Sequence, residues 1–235
     1  MGKIVVTIDG KEVETDSTKT LLDVCRDNNV DIPTMCHFDG IKDVGACRLC
    51  LVEIEGTSKL LPSCTTKVQE GQVIRTQTEK LVKYRKMITE LLFAEGNHIC
   101  SVCIANGHCD LQDLGYKVGM ERVRFPFLFQ QKEVDASHPW YMMDHNRCIL
   151  CTRCVRVCAE VEGAHNWNVM NRGYHAKIIS DFNTPWGESI SCTSCGKCVD
   201  VCPTGALWPK KTLQGQYVKD PGKVTELVEK RKMNL

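Results

Sequence analysis

The sequence lacks long apolar runs and any marked excess of charge of one sign. Its 30 Lys and Arg residues balance 29 Asp and Glu residues, which leaves a formal net charge of +1. This balance disfavours a strongly basic protein that binds nucleic acid. No apolar stretch approaches the roughly 20 residues that a membrane-spanning helix requires. We therefore expect no nucleic-acid partner and no transmembrane segment.

Common nucleotide-binding and hydrolytic motifs are also absent. The sequence contains no G-x-G-x-x-G and no G-x-x-x-x-G-K-[ST], the usual phosphate-binding loops for dinucleotides and nucleotides. It contains no H-E-x-x-H zinc-protease motif either. We therefore predict no catalytic residue in this chain and no residue that binds NAD or flavin.

The N-terminal segment lacks the basic-then-apolar layout of an export signal. Its residues, MGKIVVTIDG, instead suggest a β-strand. We therefore predict a cytoplasmic protein, or one attached peripherally to a membrane through its partners. In that compartment disulfide bonds do not persist.

Cysteine is the residue type present in excess, with 16 in the chain. Because a reducing compartment disfavours eight disulfides, metal ligation is the interpretation that accounts for so many thiols. Eight of them form two copies of the pattern C-x2-C-x2-C-x3-C, which is an internal repeat. The copies are Cys148, Cys151, Cys154 and Cys158, then Cys192, Cys195, Cys198 and Cys202.

This spacing is typical of two-cluster ferredoxins, in which the fourth cysteine of each run ligates the other cluster. It predicts one [4Fe–4S] cluster on Cys148, Cys151, Cys154 and Cys202, and another on Cys192, Cys195, Cys198 and Cys158. We expect each fourth cysteine to stand at the start of a helix, and Gly196 to let backbone N–H groups approach a sulfur. Zinc is the alternative, but two-pair zinc ligation leaves half of each run unexplained.

The first third of the chain predicts a small sheet, a helix and a separate metal site. Asp9-Gly10 favours a hairpin turn, and residues 15–18 supply N-cap candidates for the helical run KTLLDVCRDNN. Within that run, Cys25 is predicted to be a small buried apolar residue and not a ligand. The following C-x10-C-x2-C-x13-C arrangement predicts a [2Fe–2S] cluster, with a zinc ribbon as the alternative. Its ligands are Cys36, Cys47, Cys50 and Cys64.

A third kind of site follows a predicted helix over residues 79–95, which is expected to end near Gly96. Three cysteines come next: Cys100, Cys103 and Cys109. Since three thiolates do not complete a cubane, we expect His98 to be the fourth ligand of a [4Fe–4S] cluster. His108 is disfavoured because it abuts Cys109, and an incomplete metal-binding loop is the remaining alternative. A neutral imidazole makes a cluster less negative and therefore easier to reduce than its all-cysteine neighbours.

Some further segments carry weaker predictions. Residues 159–191 form a long insertion expected to contribute a hairpin or a docking surface. The FPFLF segment at 125–129 is either a partner-facing patch or a packed linker. The tail from residue 220 is predicted to be a charged helix, solvated by default or acting as a subunit clamp. The tryptophans are expected to exclude water from clusters: Trp140, Trp167, Trp186 and Trp208.

The order of these sites resembles an electron-transfer region shared by three families. They are the large iron–sulfur subunit of respiratory NADH:quinone oxidoreductase (complex I), the iron-only hydrogenases, and the small diaphorase subunit (HoxU type) of the bidirectional NAD(P)-linked nickel–iron hydrogenase. The resemblance rests on the four N-terminal cysteines, the segment GNHICSVCIANGHCDLQD and the two cysteine runs. It covers about residues 1–210. The histidine spacing here is H-x-C, whereas complex I and the iron-only hydrogenases typically show H-x3-C.

The complete second cysteine run and a chain end about thirty residues after Cys202 favour the diaphorase subunit. The resemblance implies an α+β fold in three domains and a tail. These are a [2Fe–2S] ferredoxin-like β-grasp domain (1–78), a helical one-His/three-Cys domain (79–137), a two-cubane ferredoxin-like domain (138–212) and the C-terminal tail (213–235).

The same resemblance implies a function in electron transfer. The chain would relay single electrons between a flavin- and NAD(P)H-binding diaphorase subunit and nickel–iron hydrogenase subunits, coupling reversible H2 oxidation to NAD(P) reduction. A ferredoxin-like donor is a further candidate partner. One alternative is the electron-transfer module of a respiratory NADH:quinone oxidoreductase, and another is a zinc-stabilised scaffold.

Overall fold

A computed structural model describes residues 2–214, 216 and 219–233 of the protein. In chain order, the strands and helices of these residues are β1 (Lys3–Ile8), β2 (Lys11–Asp16), α1 (Leu21–Asp27), β3 (Leu51–Ile54), β4 (Leu60–Pro62), β5 (Val73–Arg75), α2 (Glu79–Glu95), α3 (Asp110–Lys117), β6 (Val134–Asp135), β7 (Tyr141–Asp144), α4 (Arg153–Arg156), β8 (Trp167–Met170), β9 (Lys177–Ser180), α5 (Lys197–Asp200), β10 (Leu207–Pro209) and α6 (Pro221–Met233).

The chain divides into two compact units. The first contains the residues up to His37, Asp43–Glu90 and Leu114–Glu121, and the second contains Phe38–Lys42, Leu91–Asp113 and the residues from Arg122 onward. Both mix helix and strand, as the predicted α+β class requires. The finer division into three domains and a tail stays a prediction.

The first unit is built on a five-stranded mixed sheet with the order β2-β1-β5-β3-β4. Strands β1 and β2 form the predicted antiparallel hairpin, and β1 pairs with β5 in parallel. The hairpin turn places Asp9 at φ 48° and Gly10 at φ 88°. These left-handed conformations suit an Asp-Gly turn, because the backbone twist then matches that of the strands.

Helix α1 supplies much of the apolar core of the first unit. Leu21, Leu22 and Val24 are fully buried and belong to one cluster with the sheet residues Val52 and Ile74. The residues that hold α1 in place therefore share one core with two of the predicted ligands, Cys50 and Cys64. This packing fixes the backbone from which those two thiols project.

The start of α1 differs from the prediction. Its N-cap is Thr20 and not a residue of 15–18: the Thr20 hydroxyl accepts from the Asp23 N–H at 3.2 Å, and the Asp23 carboxylate accepts from the Thr20 N–H at 2.9 Å. This reciprocal capping box satisfies two backbone donors that the helix leaves free. The candidates at 15–18 lacked an acidic residue three positions later that could complete such a box.

Replacing Thr20 with Ala should destabilise the first unit. The variant loses the cap of α1, and such losses cost about 1 kcal/mol. Chemical denaturation followed by circular dichroism measures the change in free energy of unfolding. Thr18→Ala is the matched control because Thr18 is exposed and does not cap the helix. Equal stability of the two variants would refute the cap assignment.

Helix α2 confirms the predicted helix, with the same bounds of 79 and 95. Its C-terminal turn is followed by Gly96, whose N–H donates to the Leu92 carbonyl at 3.4 Å. The helix end thereby brings the next residues, including His98, to the start of the cysteine-rich loop. Cys100 begins a short 3-10 turn, and Cys109 directly precedes α3.

The second unit contains a three-stranded antiparallel sheet with the order β10-β7-β6 and a two-stranded sheet of β8 and β9. The pair β8–β9 is antiparallel and lies within residues 159–191, so the hairpin predicted for this insertion is confirmed. Its first residue, Trp167, is buried and faces the second cysteine run. The insertion therefore forms part of the wall around that run.

The fourth cysteines do not stand at the start of helices as predicted. Helices α4 and α5 already begin before the third cysteine of each run, at Arg153 and Lys197. Cys158 lies in a π-helical turn, Val157–Glu162, and Cys202 comes just after α5. Each fourth thiol is thus set about one helical turn away from the third, which allows it to point to a different group.

The tail forms helix α6, and it is not simply a solvated helix. Val224 and Val228 on this helix are buried, while its charged residues are exposed. A Cβ atom on Gly40 would lie 2.9 Å from a Val228 methyl, so the 38–42 segment packs closely against the helix. The apolar face of α6 is therefore covered within the second unit.

Candidate functional site

The four N-terminal cysteines predicted to bind a [2Fe–2S] cluster converge in the first unit. The Cys50 and Cys64 sulfurs are 3.5 Å apart, and the Cys47 N–H donates to the Cys36 sulfur at 3.5 Å. Hydrogen bonds from the Cys47 and Cys64 thiols lower the pKa of Cys36, and the bond to Cys36 raises that of Cys64. Three of the thiols are buried and Cys47 is half-buried. The structure thus brings together all four predicted ligands.

The loop that carries Cys47 and Cys50 is held by a residue that sequence reasoning missed. Arg85 on α2 is buried, and it donates to the Leu49 carbonyl at 3.2 Å and to the Leu51 carbonyl at 3.0 Å. No local pattern marks an arginine inside a helix as a loop anchor, because the contact joins residues 34 and more positions apart. Arg85 fixes the backbone on either side of Cys50.

The middle site surrounds a cavity in the second unit. About 300 Å³ of space free of protein atoms is lined by His98, Cys100, Cys103 and Cys109, among others. The His98 Nε2 atom is buried and has no hydrogen-bond partner among the described residues. Since a buried polar atom normally has a partner, an unpartnered imidazole nitrogen beside three thiols fits a metal cluster. His108, the disfavoured alternative, is exposed and does not line this cavity.

The protonation state of His98 suits a ligand. Burial, and then the nearby positive charge of Arg147, lower its pKa to about 4, against the opposing effect of the Leu92 carbonyl. The imidazole is therefore neutral at pH 7, which is the form that binds metals. The ring also packs edge-on against Phe93, with ring centroids 5.5 Å apart.

Two glycines make room for the side chains of the middle site. A Cβ on Gly96 would overlap the His98 ring, lying 2.6 Å from its Cδ2 atom. A Cβ on Gly205 would lie 2.7 Å from the Cys103 sulfur. Neither glycine has a positive φ, so the need for glycine at both positions comes from the close approach of a side chain and not from the backbone conformation. No sequence pattern reveals these roles, because the clashes appear only in the folded chain.

The second cysteine run lines another cavity, together with the fourth cysteine of the first run. Its thiols are Cys158, Cys192, Cys195 and Cys198. These are the four ligands that the crossed scheme predicts for one cubane. Cys158 thus lies with the second run, despite being 34 residues before Cys192 in the chain.

The remaining thiols form the complementary group. The pKa of Cys148 is raised to about 12 and that of Cys151 to about 11, with burial as the largest cause and the charge of Cys202 among the others for both thiols. Burial is also the largest cause of the raised pKa of Cys158, but there the thiols that contribute to the increase are Cys195 and Cys192. Cys202 therefore interacts with the first run and Cys158 with the second, as crossed ligation requires.

The two cysteine loops share one backbone conformation. The Leu150 N–H donates to the Cys148 sulfur at 3.4 Å, and the equivalent Ser194 N–H donates to the Cys192 sulfur at 3.4 Å. Leu150 and Ser194 have similar positive φ values of 53° and 57°. The internal repeat in the sequence is thus also a structural repeat.

Gly196 has a different role from the predicted one. The N–H that reaches a sulfur belongs to Ser194, while Gly196 has a φ of +76° and a Cβ there would lie 2.6 Å from the Tyr141 hydroxyl. The glycine therefore permits a left-handed turn and the close approach of Tyr141.

One tryptophan contacts a predicted ligand directly. The buried Trp186 donates its indole Nε1–H to the Cys192 sulfur at 3.2 Å and packs against Trp167, with ring centroids 4.8 Å apart. Both side chains therefore exclude water from the second cysteine run, as predicted. Trp140, in contrast, is 61% exposed, and the prediction that it covers a cluster is wrong.

We expect Trp186→Phe to lower the reduction potential of the cluster at the second run. The variant removes a donor to a ligand sulfur, and such donors stabilise the more negative reduced form. A net contribution of about 1 kcal/mol changes the ratio of reduced to oxidised cluster about fivefold at a fixed potential. A redox titration followed by EPR measures it, with Trp140→Phe as the matched control. Identical midpoints in both variants would contradict this role.

Cys25 is not among the predicted ligands, and it is fully buried in the core of the first unit. Burial, followed by the charge of Asp9, raises its pKa to about 12. Only the thiolate is nucleophilic, so this thiol should resist alkylation at every pH at which the fold is intact. Mass spectrometry after iodoacetamide treatment of the native protein at pH 8 should find Cys25 unmodified. Rapid labelling there, as in the denatured chain, would contradict the assignment.

The described part of the chain offers neither a site for a single metal ion nor a membrane-spanning helix. Within the described ranges, no group of three or more His, Cys, Asp or Glu side chains is arranged to hold one metal ion. Among the same residues, every helix is too short or too polar to cross a bilayer.

Three protein families match successive parts of the chain. Residues 2–79 match the 2Fe-2S iron-sulfur cluster binding domain. Residues 85–124 match the iron-sulfur binding region of NADH-ubiquinone oxidoreductase-G, and residues 139–208 match the ferredoxin-like domain of NADH-quinone oxidoreductase subunit 3. These matches indicate [2Fe–2S] and [4Fe–4S] binding regions, and they disfavour the zinc-stabilised scaffold.

Individual relatives are similar in sequence to this chain over most of its length. The NADPH-Fe(3+) oxidoreductase subunit alpha of Geobacter sulfurreducens is 38% identical over 88% of this chain, which spans only 24% of that relative. The NAD-reducing hydrogenase HoxS subunit gamma of Cupriavidus necator is 34% identical, with 88% of each chain covered.

A solved structure extends the comparison to the fold. A chain in the crystal structure of an NAD+-reducing [NiFe]-hydrogenase in the H2-reduced state has a TM-score of 0.83 and 32% identity, covering 92% of this chain and 93% of that one. The similarity extends over nearly the whole length of both chains and is not confined to one motif. The protein therefore belongs to the family of iron–sulfur electron-transfer subunits that includes the gamma subunit of the NAD-reducing hydrogenase HoxS.

Proposed function

We propose that this chain is the electron-transfer subunit of an NAD(P)-linked nickel–iron hydrogenase. It relays single electrons between a flavin subunit that reacts with NAD(P)H and the hydrogenase subunits, in either direction. The observation that carries this proposal is the match to HoxS subunit gamma, which covers 88% of both chains. The chain itself has no substrate-converting site in this proposal, and its partners perform the reactions with NAD(P) and H2.

The proposed cofactors are one [2Fe–2S] and three [4Fe–4S] clusters. Their ligands are Cys36, Cys47, Cys50 and Cys64 for the first; His98, Cys100, Cys103 and Cys109 for the middle site; Cys148, Cys151, Cys154 and Cys202; and Cys192, Cys195, Cys198 and Cys158. The support is the convergence of the first four thiols, the unpartnered His98 Nε2 and the crossed placement of Cys158 and Cys202. This scheme uses every cysteine except Cys25.

The protein residues have three tasks in this proposal. Thiolates and the His98 imidazole hold the clusters, each of which accepts and gives up one electron when bound. Backbone donors such as the Leu150 and Ser194 N–H groups stabilise the charge on ligand sulfurs. Buried side chains such as Trp186 exclude water, which lowers the local dielectric and sets the potentials.

We further propose the domain organisation predicted above, with a β-grasp [2Fe–2S] domain at 1–78, the one-His/three-Cys domain at 79–137, the two-cubane domain at 138–212 and the tail from 213. The [2Fe–2S] and middle sites form a branch towards a second electron donor, for which a ferredoxin-like protein is the candidate. A location in the cytoplasm, or at a membrane through partners, likewise stays a prediction.

Purification of the intact complex from its native host under anaerobic conditions tests the proposal. We expect flavin-containing and nickel–iron subunits to copurify, and H2-dependent reduction of NAD+ or NADP+ that is lost in Cys195→Ala. Reduction of a soluble dye by NAD(P)H should persist in that variant, because the flavin subunit performs it alone. Absence of nickel from an active complex would refute the hydrogenase assignment.

A respiratory NADH:quinone oxidoreductase module is the second candidate. It is favoured by the matches of residues 85–124 and 139–208 to families named for NADH-quinone and NADH-ubiquinone oxidoreductase. In that case the purified complex should reduce a quinone analogue with NADH and contain no nickel.

A further inference from the structure

We propose that Arg147 tunes the middle site: its guanidinium faces the His98 cavity and makes the group bound there easier to reduce. This inference rests on the proposed [4Fe–4S] cluster at His98, Cys100, Cys103 and Cys109. It adds a fifth functional residue that no spacing rule identifies, because Arg147 precedes Cys148 and belongs by sequence to a different cysteine run.

Two polar atoms at one cavity lack partners. Arg147 lines the space enclosed by the three thiols and His98, and its Nη1 atom is buried with no hydrogen-bond partner among the described residues. The His98 Nε2 atom is unpartnered in the same way. A buried guanidinium N–H without an acceptor is costly, and cluster or thiolate sulfur is the acceptor that the cavity would supply.

Neighbouring contacts aim the Arg147 side chain. On one side its Nε atom lies 3.5 Å from the Asp144 carboxylate, and both side chains are only 13% exposed. On the backbone, the Arg147 carbonyl accepts a hydrogen bond of 2.8 Å from the hydroxyl of Thr204, which also lines the cavity. Asp144 engages the Nε edge, which leaves Nη1 free for the cavity.

The charge of Arg147 acts across this space, because its guanidinium lines it together with His98 and the three thiols. A positive charge at this place favours an added electron on a group bound there, because opposite charges attract. The electron is taken from a neighbouring redox centre and returned to one, and no proton leaves the guanidinium.

Arg147 and His98 therefore act in the same direction. The imidazole replaces a negative thiolate by a neutral ligand, and Arg147 adds a positive charge that the buried cavity screens poorly. We infer that the middle site is easier to reduce than a His ligand alone would make it. In the proposed relay it would hold an electron more strongly than the two all-cysteine cubanes.

Redox titration of the anaerobically purified protein, followed by EPR, tests the role of Arg147. The signal of the middle site is identified as the one lost in Cys103→Ala. In Arg147→Gln we expect the ratio of reduced to oxidised middle cluster to fall at least about tenfold at a fixed potential, a shift of about 59 mV for one electron. Arg147→Lys keeps the charge and should retain most of the wild-type potential.

Matched controls separate charge from structure. Arg122→Gln removes an exposed arginine of the same unit and should leave every midpoint unchanged. If Arg147→Gln fails to assemble the middle cluster, the midpoints of Arg147→Met and Arg147→Lys are compared instead. A midpoint that is lower in Arg147→Met but not in Arg147→Lys supports the proposal. Equal midpoints in the variants and the wild type overturn it, as does loss of the cluster in all of them, Lys included.

The outcome also distinguishes this inference from the proposed function. Wild-type protein without a middle cluster, shown by iron analysis, would refute the cluster assignment itself. A full complement of iron with an unchanged midpoint in Arg147→Gln would refute only the role of Arg147.

Discussion

Single replacements of Cys158 and Cys202 by alanine should each remove one [4Fe–4S] cluster, but not the cluster of their own cysteine run. From about 14 iron atoms in the wild type, each variant should retain about 10. The physical reason is the crossed placement: Cys158 lines the cavity of Cys192, Cys195 and Cys198, whereas Cys202 acts on Cys148 and Cys151. Serine is avoided because its hydroxyl can replace a thiolate.

Double variants distinguish crossed from uncrossed ligation. If Cys158 and Cys195 hold the same cluster, the Cys158→Ala/Cys195→Ala protein should lose no more iron than either single variant. The Cys158→Ala/Cys148→Ala protein should lose two clusters and retain about 6 iron atoms. Iron analysis per chain, together with EPR spin counts, measures both. Uncrossed ligation predicts the opposite: the Cys158→Ala/Cys195→Ala protein would lose two clusters and the Cys158→Ala/Cys148→Ala protein only one. That result would contradict the crossed assignment.

The second large effect is expected from a residue that binds no metal. Gly96→Ala should remove the middle cluster almost as completely as His98→Ala, with about 10 of about 14 iron atoms retained. The added methyl group overlaps the His98 ring, which packs edge-on against Phe93 on another side, so the ring has to move. The imidazole must therefore leave the position in which it lines the cavity.

The matched control for this prediction is Gly222→Ala. A Cβ on Gly222 meets only a side-chain oxygen of Asp220, at 3.3 Å, so the substitution should preserve all the iron. Gly96 directly follows α2 and Gly222 lies in the first turn of α6, so both substitutions are made at a helix end. If Gly96→Ala retained the middle EPR signal at full intensity, His98 would not be a ligand in the conformation described.

Local patterns predicted the elements whose causes are themselves local. The apolar spacing in residues 79–95 gave the bounds of α2, and Asp9-Gly10 gave the first hairpin. The repeated cysteine spacing predicted which thiols meet, because short loops around a cluster are determined by neighbouring residues. The N-cap of α1 was misplaced because its decisive feature is the reciprocal bond between Thr20 and Asp23, whereas the candidates at 15–18 were chosen by residue type alone.

The residues that sequence reasoning missed act through tertiary contacts. Arg85 binds carbonyls more than 30 positions away, Gly205 approaches Cys103 from another part of the unit, and Arg147 lines a cavity formed by a different cysteine group. Trp186 and Trp140 look alike in the sequence, yet one is buried on a ligand and the other is exposed. Such differences arise from packing and leave no periodic pattern.

Anaerobic purification followed by iron, acid-labile sulfide and EPR analysis tests the central claim most directly. The account predicts a brown protein with about 14 iron atoms per chain, similar sulfide, and signals of both two-iron and four-iron clusters after reduction. A pale protein with stoichiometric zinc and no acid-labile sulfide would contradict it.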